Sequence, residues 1–187
     1  RLYRYITLIL GLKPNEHEYK VMGLAPYCKS QYYEKLLEKF ISIQDVSGIN
    51  FNYLNKPKDM YFAIKDLLDG ERFDTISGGL QAYTEYLITK WIRNLVQKTG
   101  IDDITIAGGV ALNVKANMLI SNKKYVKNLF IPACPDDSSQ SIGAIESGNI
   151  EGDTEIGIQA SGDINAAVGN KSCADQQVGT IGKKSTC

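Results

Sequence analysis

Ten consecutive residues, Ile104-Thr105-Ile106-Ala107-Gly108-Gly109-Val110-Ala111-Leu112-Asn113, constrain this chain more than any others. Residues 104–107 are apolar or β-branched and read as a short buried strand. Gly108 and Gly109 end it, and residues 111–122 read as a helix. Strand, glycine pair and helix N-terminus, in that order, bring backbone N–H groups close to an anion. The glycines also remove the Cβ atoms that would hold a phosphate or ribose away. The same order serves equally well as a plain tight connection, and one Gly-Gly turn does not separate the two. The rest of the chain has to decide.

With 187 residues there is material for one domain with a sizeable core. Lys+Arg and Asp+Glu both number 21, so no net field favours nucleic acid or an anionic membrane. The longest apolar runs, such as Leu8-Ile9-Leu10, are far too short to span a bilayer. No signal-peptide pattern opens the chain, and four scattered cysteines without CxxC spacing argue against a zinc site or a disulfide framework. The expectation is a cytoplasmic protein. Since it opens on Arg1 and not on methionine, it reads as a piece of something longer.

Periodicity predicts helices over residues 1–12, 31–44, 57–68 and 75–98, with Pro57 in the first turn of the third. Leu80, Tyr83, Leu87, Trp91 and Leu95 form one apolar stripe along the fourth. Residues 13–30 read as turn-rich, 46–54 as a weak strand, and 103–107 and 127–131 as short strands. Another helix is expected over 138–146. Helices alternating with short hydrophobic strands indicate an α/β architecture. Residues 151–187 hold no aromatic and six glycines, so the tail, 147–187, is expected to be disordered or unrelated to the rest.

Three segments carry chemistry. The first is Glu16-His17-Glu18-Tyr19-Lys20-Val21-Met22-Gly23-Leu24-Ala25-Pro26-Tyr27, where Glu18 and Lys20 fall on one side of an extended or turning backbone. A lysine in a structured loop suits a phosphate or carboxylate, although a solvated loop has the same composition. His17 is the sole histidine. The second is the glycine turn with Asn113 and Asn117, four apart and on one helix face, able to bond a ribose or base, or only to satisfy nearby backbone. The third is Pro132-Ala133-Cys134-Pro135-Asp136-Asp137-Ser138-Ser139, an acidic turn that presents a carboxylate to a hard metal or simply caps a helix.

Together these segments resemble the O-carbamoyltransferases of the NodU/CmcH type. The resemblance rests on Glu18-Tyr19-Lys20-Val21-Met22-Gly23-Leu24-Ala25-Pro26-Tyr27, on Gly108-Gly109-Val110-Ala111-Leu112-Asn113 and on the acidic turn closing at Gly143-Ala144, in order over residues 1–146. It implies an actin-like ATPase (ribonuclease H-like) domain, of which residues 1–146 would be one part. It implies use of ATP and carbamoyl phosphate, through a carbamoyl-adenylate, to carbamoylate a hydroxyl of a sugar or natural-product acceptor. Gly108, Gly109, Val110, Asn113 and Asn117 would then face the nucleotide, and Asp137 a divalent metal, iron(II) or Mg²⁺. Glu18 and Lys20 would line the catalytic cleft. The chain departs from the family's pattern at Cys28 and Asp136, where glycine is usual, and it lacks the family's paired metal-binding histidines. The isolated chain is therefore expected to be inactive. Two other readings stand beside this one: a truncated, non-catalytic nucleotide-binding remnant, and a kinase-like ATPase domain of the same superfamily.

Overall fold

The computed structural model of the chain describes residues 1–137. The helix expected over 138–146 and the tail 147–187 lie outside them. The described residues divide into two compact units, one comprising Arg1–Thr105 and Asn113–Phe130, the other Ile106–Leu112 and residues 131–137.

In the first unit, α2 (Glu18–Leu24) and α3 (Ser30–Ile43) pack on the long helix α5 (Phe73–Thr99), and α1 (Leu2–Ile9) packs on α2 and on α4 (Met60–Leu68). Its core joins Ile6, Val21, Leu36, Phe40, Ile64, Leu68, Ile76, Leu80 and Tyr83. The expected stripe on α5 holds: Leu80 and Tyr83 are buried, and Leu87, Trp91 and Leu95 half-buried. Gly100 ends α5 in the left-handed conformation, φ +71°, with its N–H on the Val96 carbonyl, the helix stop that glycine permits best.

Gly78 and Gly79 lie where α5 meets α3. A Cβ on Gly78 would lie 2.8 Å from the Tyr33 ring, and one on Gly79 would lie 2.9 Å from a Leu36 methyl. The glycines are what let α3 approach α5 this closely.

Two sequence expectations shift. The weak strand over 46–54 is a hairpin, β1 (Gln44–Ser47) and β2 (Asn50–Tyr53), antiparallel with Ser47 opposite Asn50. Gly48 takes φ +58° at the first turn position, which glycine allows and a two-residue hairpin turn demands. Helix α4 begins at Met60 rather than near Pro57, because Asp59 caps it by accepting from the Phe62 N–H.

One face of α5 holds the hairpin. The Tyr83 hydroxyl donates to the Gln44 carbonyl (2.7 Å), Trp91 Nε1 to Ile49 (2.9 Å) and Asn94 Nδ2 to Gly48 (2.6 Å). Lys90 Nζ lies 2.7 Å from Asp45 Oδ2 and 2.8 Å from the Tyr86 hydroxyl.

The second sheet pairs β3 (Asp103–Thr105) with β4 (Asn128–Phe130) in parallel, Ile104 opposite Leu129, with α6 (Val114–Ser121) in the connection. Parallel strands joined through a helix define the α/β class expected from sequence. No helix among the described residues is long and apolar enough to cross a membrane.

Candidate functional site

The glycine turn belongs to the second unit. Gly108 adopts φ +100°, a backbone region costly for any residue with a Cβ. Its N–H donates to the carbonyl of Pro135, and its own carbonyl accepts from the Ala111 N–H at 2.9 Å. Residues Gly109–Leu112 then form a single 3₁₀ turn. No heavy atom of the described residues lies within 4 Å of a Cβ built on either glycine. Conformation therefore requires glycine at 108, and the space beside both glycines is open.

Pro135 is buried and immediately precedes Asp136 and Asp137, so the Gly108–Pro135 hydrogen bond joins the glycine turn to the acidic turn. Two of the three segments singled out in the sequence are thus brought together. Asp136 is half-buried and Asp137 exposed, while Val110 and Leu112 are each 52 % exposed.

The helix expected over 111–122 is shorter. The 3₁₀ turn replaces its start, and α6 begins at Val114 with Asn113 as N-cap. Asn113 Oδ1 accepts from the Ala116 N–H at 3.0 Å. That bond satisfies one of the N–H groups an anion at this helix end would use. Asn117 lies one turn further on, half-buried within α6, and its N–H donates to the Asn113 carbonyl at 3.0 Å.

The rest of the Asn113 amide is committed in the first unit. Gln81 Nε2 donates to Asn113 Oδ1 (3.0 Å), and Asn113 Nδ2 donates to Gln81 Oε1 (2.9 Å). The Tyr3 hydroxyl also donates to Gln81 Oε1, and Gln81 Nε2 reaches Glu85 Oε1 at 2.7 Å. Burial raises the Tyr3 phenol far above its ordinary pKa; the Asn113 hydrogen bond opposes this and the Glu85 charge adds to it. Tyr3 thus remains a donor. Neither Tyr3 nor Gln81 stood out in the sequence, where each sits inside an apolar helical pattern.

Glu18 and Lys20 are placed differently from expectation. Residues 18–24 are helical, not extended, so side chains two apart leave α2 at about 200° to one another. They do not form a pair on one side. Glu18 Oε1 accepts from the Asn15 N–H at 2.7 Å, which fixes a left-handed turn at Asn15, φ +66°. Lys20 is exposed, its ammonium 5.8 Å from the centre of the Tyr19 ring. His17 Nδ1 accepts from the Lys13 N–H at 3.1 Å, which leaves the lone histidine part of the same turn. The core-facing side of α2 is Val21, fully buried, followed by Ala25 at 5 % exposure. The helix forms because this apolar pair needs a 3.6-residue period, which the polar residues around it obscure.

No group of three or more His, Cys, Asp or Glu side chains poised for a metal occurs among the described residues. The acidic turn places the carboxyl groups of Asp136 and Asp137 after Cys134 and Pro135; carboxylate oxygens are the donor type that a hydrated Mg²⁺ takes.

Helices with two small sheets, one of them parallel, place the chain among α/β proteins. The chain belongs to the carbamoyltransferase N-terminus family, whose model matches residues 1–145. It is 35 % identical over 149 residues to an uncharacterized protein of Methanocaldococcus jannaschii, covering 76 % of this chain and 28 % of that protein. An uncharacterized protein of Synechocystis is 28 % identical over 158 residues, covering 76 % of this chain and 26 % of its own length. Nodulation protein NolNO of Sinorhizobium fredii is 28 % identical over 132 residues, 68 % of this chain and 19 % of that protein. The chain thus spans about a quarter of the length of the curated relatives it matches.

Proposed function

We propose that this chain is part of an ATP-dependent carbamoyltransferase that moves a carbamoyl group from carbamoyl phosphate, through a carbamoyl-adenylate, to a hydroxyl of a sugar or natural-product acceptor. The family match over residues 1–145 supports the transferase class. The observation that carries the nucleotide assignment is the Gly108–Pro135 hydrogen bond, which couples an open glycine turn to two carboxylates. An actin-like ATPase domain in the complete protein fits the α/β class of the described residues.

In this reading Gly108, Gly109 and Val110 approach the phosphates through backbone, with no side chain in the way. Asp136 and Asp137 would repel a bare phosphate. A Mg²⁺ carried in with the nucleotide would offset that charge, with Asp137, the exposed carboxylate, as its protein contact. Asn113 acts on the nucleotide indirectly, by ending the turn and starting α6. Asn117, half-buried one turn further on, is the remaining amide of the reading. Lys20, exposed on α2, is available to an anionic substrate such as carbamoyl phosphate, while Glu18 holds the turn that leads into that helix.

Titration of the purified complete protein with ATP·Mg²⁺ and carbamoyl phosphate, alongside a carbamoyl-transfer assay, tests the reading. Asp137→Ala is expected to weaken ATP·Mg²⁺ binding roughly tenfold or more, in line with loss of one charge-assisted contact. Unchanged nucleotide and metal binding in that variant would remove Asp137 from the site, and absence of any carbamoyl transfer would overturn the activity.

A further inference from the structure

We propose that Gln81, in the middle of α5, is a positioning residue for the start of α6, acting through Asn113. This rests on the nucleotide reading above for its functional consequence, but its structural basis is independent of it.

Gln81 is 2 % exposed and Asn113 8 %. Their amides face each other in a reciprocal pair, at 3.0 and 2.9 Å. Only one orientation of both amides is self-consistent. The Ala116 N–H needs an acceptor, so Asn113 must present Oδ1 to it and Nδ2 elsewhere. Gln81 must then offer Oε1 to Asn113 Nδ2 and Nε2 to Asn113 Oδ1. At the far end the same choice is enforced twice: the Tyr3 hydroxyl needs an acceptor and finds Oε1, and the Glu85 carboxylate needs a donor and finds Nε2. A backbone N–H at one end and a carboxylate at the other lock a chain of hydrogen bonds running between them.

The consequence is positional. Asn113 is the residue at which the turn of residues 108–112 rejoins regular structure, and its side chain decides that α6 starts at Val114. Without Gln81, the Asn113 amide could swing away or flip, and the helix start would lose its only side-chain cap among the described residues. The buried amide of Gln81 thus fixes where α6 starts. A glutamine inside an apolar helix face has no cost-free alternative role: buried polar groups are kept when fully paired, and Gln81 uses both its acceptor and its donors.

The test uses the full chain and two variants. Gln81→Met keeps the volume and removes every hydrogen bond. Gln81→Glu keeps the acceptor facing Tyr3 and Asn113 Nδ2 but sets a second acceptor against Asn113 Oδ1 and Glu85. Amide hydrogen exchange at residues 110–117 is compared with that of α3 in each variant, together with ATP·Mg²⁺ affinity.

Both variants are expected to accelerate exchange at Ala116 and Asn117 roughly tenfold relative to wild type, with α3 changed far less, and to weaken ATP·Mg²⁺ binding by a similar factor. The Gln81→Glu defect should be relieved as pH is lowered from 8 to 5, because a protonated carboxyl regains an O–H donor for Asn113 Oδ1. The other titratable groups facing that position are Glu85 on α5 and Tyr3 on α1. The Gln81→Met defect should not respond to pH.

Exchange that rises equally throughout α3 and α6 would show a general packing role and overturn the proposal, as would unchanged exchange at 110–117. If exchange changes as expected but the wild-type chain shows no ATP·Mg²⁺ affinity, the positioning of α6 by Gln81 stands and the nucleotide reading falls. Local exchange effects with wild-type ATP·Mg²⁺ affinity in both variants would overturn the functional part of the proposal.

Discussion

Gly79 on α5 and Leu36 on α3 meet so closely that a Cβ on Gly79 would lie 2.9 Å from a Leu36 methyl and 3.1 Å from its Cγ. Leu36 is 1 % exposed and has nowhere to retreat. Gly79→Ala should therefore destabilise the chain by about 1–2 kcal/mol, overpacking outweighing the gain of about 1 kcal/mol in helix propensity. Gly23 on α2 has nothing within 4 Å of a built Cβ and an ordinary helical backbone. There Gly23→Ala should stabilise, by up to about 1 kcal/mol. Urea unfolding of the two variants checks both signs; the same sign for both would contradict the packing described here.

The Asp45–Lys90 contact gives stability a defined pH window. Burial alone would raise the Asp45 carboxyl, but hydrogen bonds from Lys90, the Val46 N–H and Tyr86, with the Lys90 charge, leave it below its ordinary value. Lys90 is raised, chiefly by its hydrogen bond to Asp45 and then by that to Tyr86. A depressed carboxylate stabilises above its unfolded pKa of about 4 and loses this as pH falls through the folded value. A raised ammonium stabilises below its unfolded pKa of about 10.4 and loses this as pH rises through the folded value. The contribution is thus full from roughly pH 5 to 9 and fades at both ends. Asp45→Asn should cost about 1 kcal/mol at pH 7 and noticeably less near pH 3. Thermal unfolding across pH reads this directly.

Trp91 anchors the hairpin twice, by its Nε1 bond to the Ile49 carbonyl and by its ring, 5.7 Å centre to centre from Phe51. Trp91→Phe keeps much of the ring contact and loses the hydrogen bond. A loss of about 1 kcal/mol is expected, with faster amide exchange concentrated in residues 44–53.

Gly108 is held at φ +100° by its hydrogen bonds to Pro135 and Ala111. Gly108→Val has open space for its side chain but not the backbone freedom, so about 1–3 kcal/mol of strain is expected. If the turn relaxes instead of straining, the Gly108–Pro135 hydrogen bond is lost, and protection of the Gly108 amide disappears. Hydrogen exchange at residue 108 distinguishes a retained turn from a released one.

The sequence displayed what repeats with a period. The stripe from Leu80 to Leu95 on α5, the apolar face of α3 and the strand pair around Ile104 and Leu129 were legible because burial imposes 3.6- or 2-residue spacing. The family was legible because three motifs stand in order. What escaped was structure decided by contacts remote in sequence. The helical state of α2 depends on Val21 and Ala25 meeting the core, and the paired role of Gln81 depends on a residue 32 positions away. Only the approach of Tyr33 and Leu36, far away in the chain, gives Gly78 and Gly79 a purpose. The capping role of Asn113 shows in its hydrogen bond to Ala116, and its pairing with Gln81 lies beyond any local pattern.

The central claim is that the glycine turn and the acidic turn form one nucleotide-facing element. Backbone-amide NMR of this chain during titration with ATP·Mg²⁺ tests it most directly. The account predicts saturable shifts centred on Gly108, Gly109, Val110 and Asp137, with smaller changes at Asn113 and none at β2. Shifts that are absent, or that centre on α2, would contradict it.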